Sequence, residues 1–190
     1  MRLQLFKKTE AQTDEALMQR VSSGDGRAFD VLYRRHARRV MGFFFRQLRH
    51  DEALAADNTQ ETFMRVWSHR ERWKAGGEFL PWLFSIAYNI CKNEYRREGY
   101  HADYERECLV RREAEEAEAE IRLDRSALDE ALRETLERMP GEARALFALR
   151  YEEEMTVPQI ASVMGIAEGT VKSRLHTMTN ILKQNLKEYE

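Results

Sequence analysis

The stretch TVPQIASVMGIAEGTVKSRLHTMTNILK, residues 156–183, reads as two short helices around a glycine turn, the pattern of a helix-turn-helix. Thr156 is placed to cap the first helix while Gln159, three residues on, reaches back to complete a capping box. Pro158 is tolerated because first-turn amides have no intrahelical acceptor. Gly165 ends that helix: the corner needs positive φ, which glycine adopts without a Cβ penalty, and a second helix begins near Glu168. Ile160, Ala161 and Met164 should pack on Val171, Leu175 and Met178, with the small Ala161 where the helices cross. That packing turns Thr170, Lys172, Ser173, His176 and Thr177 outward, side chains of the kind that read base edges and phosphates in a major groove. Unrelated helical hairpins share these capping and spacing signals, so on them alone the face reads either as a DNA-binding surface or as a solvated polar face.

Working outward, apolar residues recur at three and four rather than alternating, and the 190 residues include only three prolines, so the chain should be all-α with no strand. Four helices fit residues 14–98, with breaks at Ser23-Gly24-Asp25-Gly26, at His50-Asp51 and at Lys74-Ala75-Gly76-Gly77. Asp14 is placed to cap the first. Phe29, Leu32, Tyr33, Val40 and Phe44 give the second its buried stripe, Phe63, Val66 and Trp67 the third, and residues 79–95 supply the fourth. Residues 99–125 change character to ERECLVRREAEEAEAE and the like, an acidic linker with local helix propensity and too little apolar surface for a domain. Apolar spacing resumes at Leu128, Leu132, Leu136 and Met139, so residues 126–188 form a second, small helical domain that contains the helix-turn-helix.

The composition narrows the functions. A net charge of −2 argues against gripping nucleic acid by bulk electrostatics. Charge is nevertheless placed unevenly, with Arg27, Arg34, Arg35, Arg38, Arg39, Arg46 and Arg49 early and Glu113, Glu115, Glu116, Glu118 and Glu120 in the linker. Cys91 and Cys108 form no Cys-x-x-Cys pair, which points to reduced thiols and neither a disulfide scaffold nor a zinc knuckle. The N-terminus lacks an apolar signal core and no run approaches a membrane span, so a cytoplasmic protein without membrane insertion is expected. His36, His50, His69 and His101 lack paired metal-ligand spacing, and there is no nucleophile elbow or phosphate-cradling glycine loop, so neither enzymatic chemistry, metal nor cofactor is expected.

Several motifs in order then resemble the extracytoplasmic-function (ECF) class of bacterial RNA polymerase sigma factors, over nearly the whole chain from Asp14 to Leu186. GDGRAFDVLYRRHARRV resembles that family's Gly-Asp-x-x-Ala-Phe-x-x-Leu-Tyr-x-Arg-Tyr opening, with His36 where tyrosine is usual. DNTQETFMRVW, residues 57–67, resembles the helix that docks on polymerase. FLPWLFSIAYNICKNEYRR resembles the segment that opens and reads the minus-ten element, and LERMPGEARALFALRYEEEMTVPQIASVMGIAEGTVKSRLH resembles the minus-thirty-five reader. An operator-binding helix-turn-helix dimer, the main rival, leaves the first half unexplained.

The resemblance implies partners and roles. Core RNA polymerase would be met by Asp57, Gln60, Glu61 and Met64 on one side of a helix. Promoter DNA melted at the minus-ten element would be met by Gly76, Gly77, Trp82, Asn89, Lys92, Asn93, Arg96 and Arg97, a set that combines a permissive loop, an aromatic surface, amides and phosphate-directed charge. Trp82, flanked by Phe79, Leu80, Leu83 and Phe84, reads more readily as a core residue than as a stacking surface. Thr170, Lys172, Ser173, Arg174, His176 and Thr177 would meet the minus-thirty-five element, Thr170 at the helix's positive end. The acidic linker reads as a tether or as a nucleic-acid mimic in the polymerase cleft, and an anti-sigma factor is the implied regulator. Departures from the family pattern fall at Ala55, Asn58, Thr59, Thr177 and Thr179.

Overall fold

The computed structural model describes residues 11–108 and 126–186, with side-chain surroundings given up to Arg97 and from Leu128. Glu113 to Glu120 of the acidic linker, the side chain of Cys108 and residues 187–188 of the second domain therefore lie outside what is described. Among the described residues every regular element is helical.

The first half starts with α1, Asp14–Ser22, whose N-cap is Thr13: its hydroxyl accepts from the Ala16 amide at 3.2 Å. Asp14, expected as the cap, stands one residue inside the helix instead, because the extended Thr13 already reaches the orphan amide. The Asp14 carboxylate turns to α2, where His36 Nε2 and an Arg35 guanidinium nitrogen approach it at 2.7 and 2.6 Å. Gly24 takes φ 90°, and Asp25 caps α2, Gly26–Gln47, by accepting from the Arg27 and Ala28 amides. Asp51 caps α3, Glu52–Ser68, in the same way through Leu54. A 3-10 turn, Arg70–Arg72, leads to α4, Phe79–Cys108, which runs past the boundary expected at residue 98. Phe43, Phe44, Phe79, Phe84, Leu17, Leu32 and Leu83 are fully buried between these helices, with the Phe43 and Phe84 rings meeting edge to face at 5.4 Å.

In the second half α5, Ser126–Glu137, and α6, Gly141–Phe147, precede α7, Val157–Met164, and α8, Glu168–Leu186. The capping box forms as the sequence implies, with Thr156 donating its amide to Gln159 Oε1 at 2.8 Å. Gly165 closes α7 at φ 67°, ψ 36°. Ile160, Val171 and Met178 are buried in the helix-turn-helix crossing; Leu175 is only half-buried.

Two features were not legible beforehand. After α6 the chain makes a π-turn, Ala148–Glu152, which fits one extra residue into the coil; with Glu154 at φ 55° it rolls Glu153 inward to 4% exposure. The two halves also do not stand apart. The helix α7 lies along α4, α6 touches α2 and α4, and the buried apolar residues of both halves make one continuous core. Periodicity marks each helix's apolar stripe but not which partner covers it, so the contact between halves escaped the reading of two modules held by a linker alone.

Candidate nucleic-acid interface

The turn after the 3-10 segment is tight: the Gly77 amide donates to Lys74 O at 3.0 Å, Gly76 sits at φ 84°, and a Cβ on Gly77 would lie 3.2 Å from that same carbonyl. Gly76 is thus favoured by its left-handed backbone, and a side chain at Gly77 would crowd the turn at the entrance to α4. The turn is backed by Trp73, 9% exposed, whose ring meets Trp82 at 5.5 Å, edge on. Trp82 is partly buried and packs against the core. On one side it lines a cavity of about 460 Å³ with Trp73, Lys74 and Gly77, to which α7 contributes Pro158 and Gln159. On the other it lines a cavity of about 210 Å³ with Arg65, His69, Arg72, Ile86 and Asn89.

Further along α4, Asn89 and Asn93 are both exposed, one turn apart on the helix surface. Lys92 is half-buried with its ammonium 5.8 Å from the Tyr88 ring, and burial pushes the Tyr88 hydroxyl up to about 12. Arg96 and Arg97 are exposed, with Arg97 tied to Glu94 at 3.2 Å. Sequence reasoning missed Arg65, His69 and Arg72, which line the smaller cavity; the basic run HRER at residues 69–72 was the available signal.

On α3, Asp57, Gln60 and Met64 are exposed, Met64 at 63%, and the partly buried Glu61 accepts from Arg65 at 2.7 Å. Gln60 and Met64 border an apolar groove of about 560 Å³ with Phe29, Tyr33, Phe63 and Trp67. The departures Asn58 and Thr59 lie on the opposite, buried side. Thr59 donates to Ala55 O at 2.7 Å, so its hydroxyl is satisfied within its own helix, whereas Asn58 Nδ2 is buried without a partner.

On α8, Thr170, Lys172, Ser173, Arg174, His176 and Thr177 are all exposed. They are not equivalent. Lys172 has no carboxylate within reach among the described residues, while Arg174 is paired with Glu142 at 2.8 Å, and Thr177 donates to the Ser173 carbonyl at 3.2 Å. His176 Nε2 lies 3.1 Å from Asn180 Nδ2. Ser173, Arg174 and Thr177 border a groove of about 330 Å³ against α6, with Met139, Pro140, Leu146 and Met178. At 100° per residue Lys172, Ser173, His176 and Thr177 centre the face opposite Val171 and Met178, with Arg174 at its margin.

Electrostatically, much of the early arginine cluster is spent inside the molecule: Arg35 on Asp14, Arg39 on Glu153 and Arg46 on Glu152. Among the described residues no group of His, Cys, Asp or Glu could hold a metal ion, and no helix is long and apolar enough to cross a membrane.

Comparison with known proteins agrees with this arrangement. The family model for sigma-70 region 2 matches residues 32–100, and that for sigma-70 region 4 matches residues 129–177. The chain is 33% identical to RNA polymerase sigma factor CarQ of Myxococcus xanthus over 175 residues, covering 91% of this chain and 97% of that protein. It is 33% identical over 163 residues to the ECF RNA polymerase sigma factor SigL of Mycobacterium tuberculosis, covering 83% and 88% of the two chains. Among solved structures, the sigma factor RpoE of Bartonella quintana in complex with the anti-sigma factor NepR shares the fold at a TM-score of 0.65 and 22% identity, covering 84% of this chain and 96% of that one. Similarity of this extent and identity, carried by both helical halves, means that the chain belongs to the ECF class of the sigma-70 family of RNA polymerase sigma factors.

Proposed function

We propose that this chain performs promoter-directed transcription initiation by dividing the work between its halves, the first docking on core RNA polymerase and capturing a melted strand, the second reading an upstream duplex element. The observation that carries the reading is Trp82: a partly buried indole that lines a cavity on each of two sides, one turn-loop away from two glycines and on the same helix as the exposed amides of Asn89 and Asn93. A base leaving the duplex loses its stacking and its Watson–Crick partners. An aromatic edge, carboxamides and a permissive loop return both, at a cost of a few kcal/mol that the polymerase-bound state can offset. Lys92, Arg96 and Arg97, with Arg65 and Arg72 from the neighbouring cavity, supply charge for the strand's phosphates.

Docking falls to Asp57, Gln60, Glu61 and Met64, where an exposed methionine beside an apolar groove and a polar rim has the anatomy of a small protein interface. Upstream reading falls to Thr170, Lys172, Ser173, Arg174, His176 and Thr177. The family pattern commonly has arginines where Thr177 and Thr179 stand, so the duplex contact has fewer phosphate partners and a shallower salt slope, or meets a different upstream element. The acidic linker, residues 99–125, would lie in a basic polymerase channel until the transcript displaces it. The chain makes and breaks no bond itself, needs no cofactor, works in the cytoplasm where polymerase is, and is held in reserve by an anti-sigma factor.

The test is reconstitution. Mixed with purified core polymerase, the chain should co-elute with it on gel filtration and start transcripts at defined positions on genomic templates. Duplex binding without core, together with no transcript, would favour an operator-binding regulator instead.

A further inference from the structure

The cavity of about 460 Å³ between the start of α4 and α7 carries chemistry that strand capture leaves unused. Its size lies within the roughly 300 to 1,000 Å³ of pockets that enclose a small organic ligand. The Trp73 and Trp82 rings on its wall are 5.5 Å apart and inclined at 66°, so a planar guest lying flat on one meets the edge of the other. Arg72 and Lys74 line the same space, both exposed, and neither side chain has a carboxylate partner among the described residues. Two cations and an aromatic wall are thus brought together, and the fold itself uses neither charge.

The remaining lining is divided between paired and open groups. Glu78, the acidic side chain there, accepts from Gln159 Nε2 at 3.0 Å, and Gln159 Oε1 accepts the Thr156 amide at 2.8 Å. Those groups set the wall and are spent on it. Ser85 donates to Trp82 O at 2.7 Å and keeps its oxygen lone pairs, while the exposed Ser162 hydroxyl on α7 has no partner among the described residues. A bare anion would leave the indoles idle, and an apolar guest would leave both cations without a counter-charge. A continuing nucleic-acid strand suits the space poorly, because α7 walls it with Pro158, Gln159 and Ser162.

We propose that this cavity is a mononucleotide site that takes a nucleoside diphosphate: the base lies against the Trp82 indole, Arg72 and Lys74 hold the two phosphates, and Ser85 and Ser162 meet the sugar. Base stacking on an aromatic ring and charge-assisted bonds to phosphate supply the two kinds of contact that such a ligand needs. The site stands apart from strand capture as read above. Asn89 lines the cavity on the other side of Trp82 and takes no part in this one, whereas Lys74 and Ser162 border this one and not the other.

The experiment is isothermal titration of the full chain with ADP, and with adenosine and pyrophosphate as its two fragments. ADP should bind at one site per chain and at least about tenfold more tightly than either fragment, since stacking and phosphate contacts are then made together. Lys74→Ala should weaken ADP by about tenfold, the loss of one charge-assisted hydrogen bond, with pyrophosphate weakened alike and adenosine unchanged. Ser162→Trp, which fills the space from α7, should abolish binding with helix content by circular dichroism unchanged. Should that variant fail to fold, Lys74→Ala, at an exposed residue of the turn, still decides the matter. Asn89→Ala, which removes an amide of the strand site, should leave ADP affinity at the wild-type value. ADP binding weaker than about 1 mM, or no tighter than that of pyrophosphate, would overturn the nucleotide site. So would wild-type affinity in a folded Ser162→Trp. Asn89→Ala as damaging as Lys74→Ala would put ADP in the strand site and equally overturn it. A holoenzyme that melts no promoter, from a chain that still binds ADP through Lys74, would strike the strand reading and leave this site standing.

Discussion

Replacing Gly165 with alanine tests the helix-turn-helix corner without touching any ligand contact. Its φ of 67° and ψ of 36° lie in the left-handed region, and the Gly165 and Ile166 amides both donate to Ala161 O, the latter at 3.1 Å, so the corner cannot relax without losing the closure of α7. No heavy atom lies within 4 Å of the position a Cβ would take. The cost of Gly165→Ala is therefore purely conformational, about 1 to 2 kcal/mol for an L residue held left-handed. For a chain of this size that is a fall in Tm of about 2 to 8 °C. Gly165→Asn should cost roughly half as much, because asparagine visits this region more readily. Urea and thermal unfolding followed by circular dichroism measure both. A neutral Gly165→Ala, or an asparagine costlier than alanine, would refute the reasoning, since sterics would then be governing a site that has open space around it.

Burial raises the Asp14 carboxyl, but the hydrogen bonds from His36 and Arg35 outweigh it and hold it below the usual range. A depressed carboxyl contributes stability above its unfolded value of about 4 that is lost as pH falls through the folded value. Wild type should lose stability on acidification below about pH 4 more steeply than Asp14→Asn, and equal slopes in acid titrations of the two would remove Asp14 from the account. Phe84→Ala, at a fully buried ring against Phe43, should cost about 3 to 5 kcal/mol in denaturant unfolding; a loss under about 1 kcal/mol would mean the site is not core. Lys172→Ala should weaken holoenzyme binding to duplex promoter and reduce the salt slope by about one if it meets a phosphate, or cost about 1 to 3 kcal/mol at one base pair if it reads a base. An unchanged footprint would take it out of the interface.

The sequence made the local chemistry legible and left the long-range packing dark. Thr156 and Gly165 sit where a cap and a left-handed corner demand them, and the breaks around Asp25 and Asp51 fall where those two residues cap the next helices. The outward residues of α8 followed from the apolar stripe through Val171 and Met178 in the same way. Asp14 was misassigned as a cap because Thr13 beside it is equally able, and only the fold brings His36 and Arg35 to the carboxylate. The neighbours Phe79, Leu83 and Phe84 pointed to a core role for Trp82, and the ring does pack against the core, but its partial exposure to two cavities depends on which elements come to face it. The inward roll of Glu153 needed a π-turn, which breaks the 3.6-residue periodicity on which such reading depends. Gly141 looked like an ordinary break after Pro140, and its reason lies 46 residues away in Tyr95.

The most direct measurement of the central claim is promoter melting by holoenzyme carrying Asn89→Ala and Asn93→Ala. These exposed amides support no part of the fold, so co-elution with core polymerase should be unchanged. Permanganate reactivity of unpaired thymines in the open complex should fall by roughly 2- to 10-fold for each lost hydrogen bond. Equal loss of core binding and of melting, or melting at the wild-type level, would contradict a strand-capturing role for this face of α4.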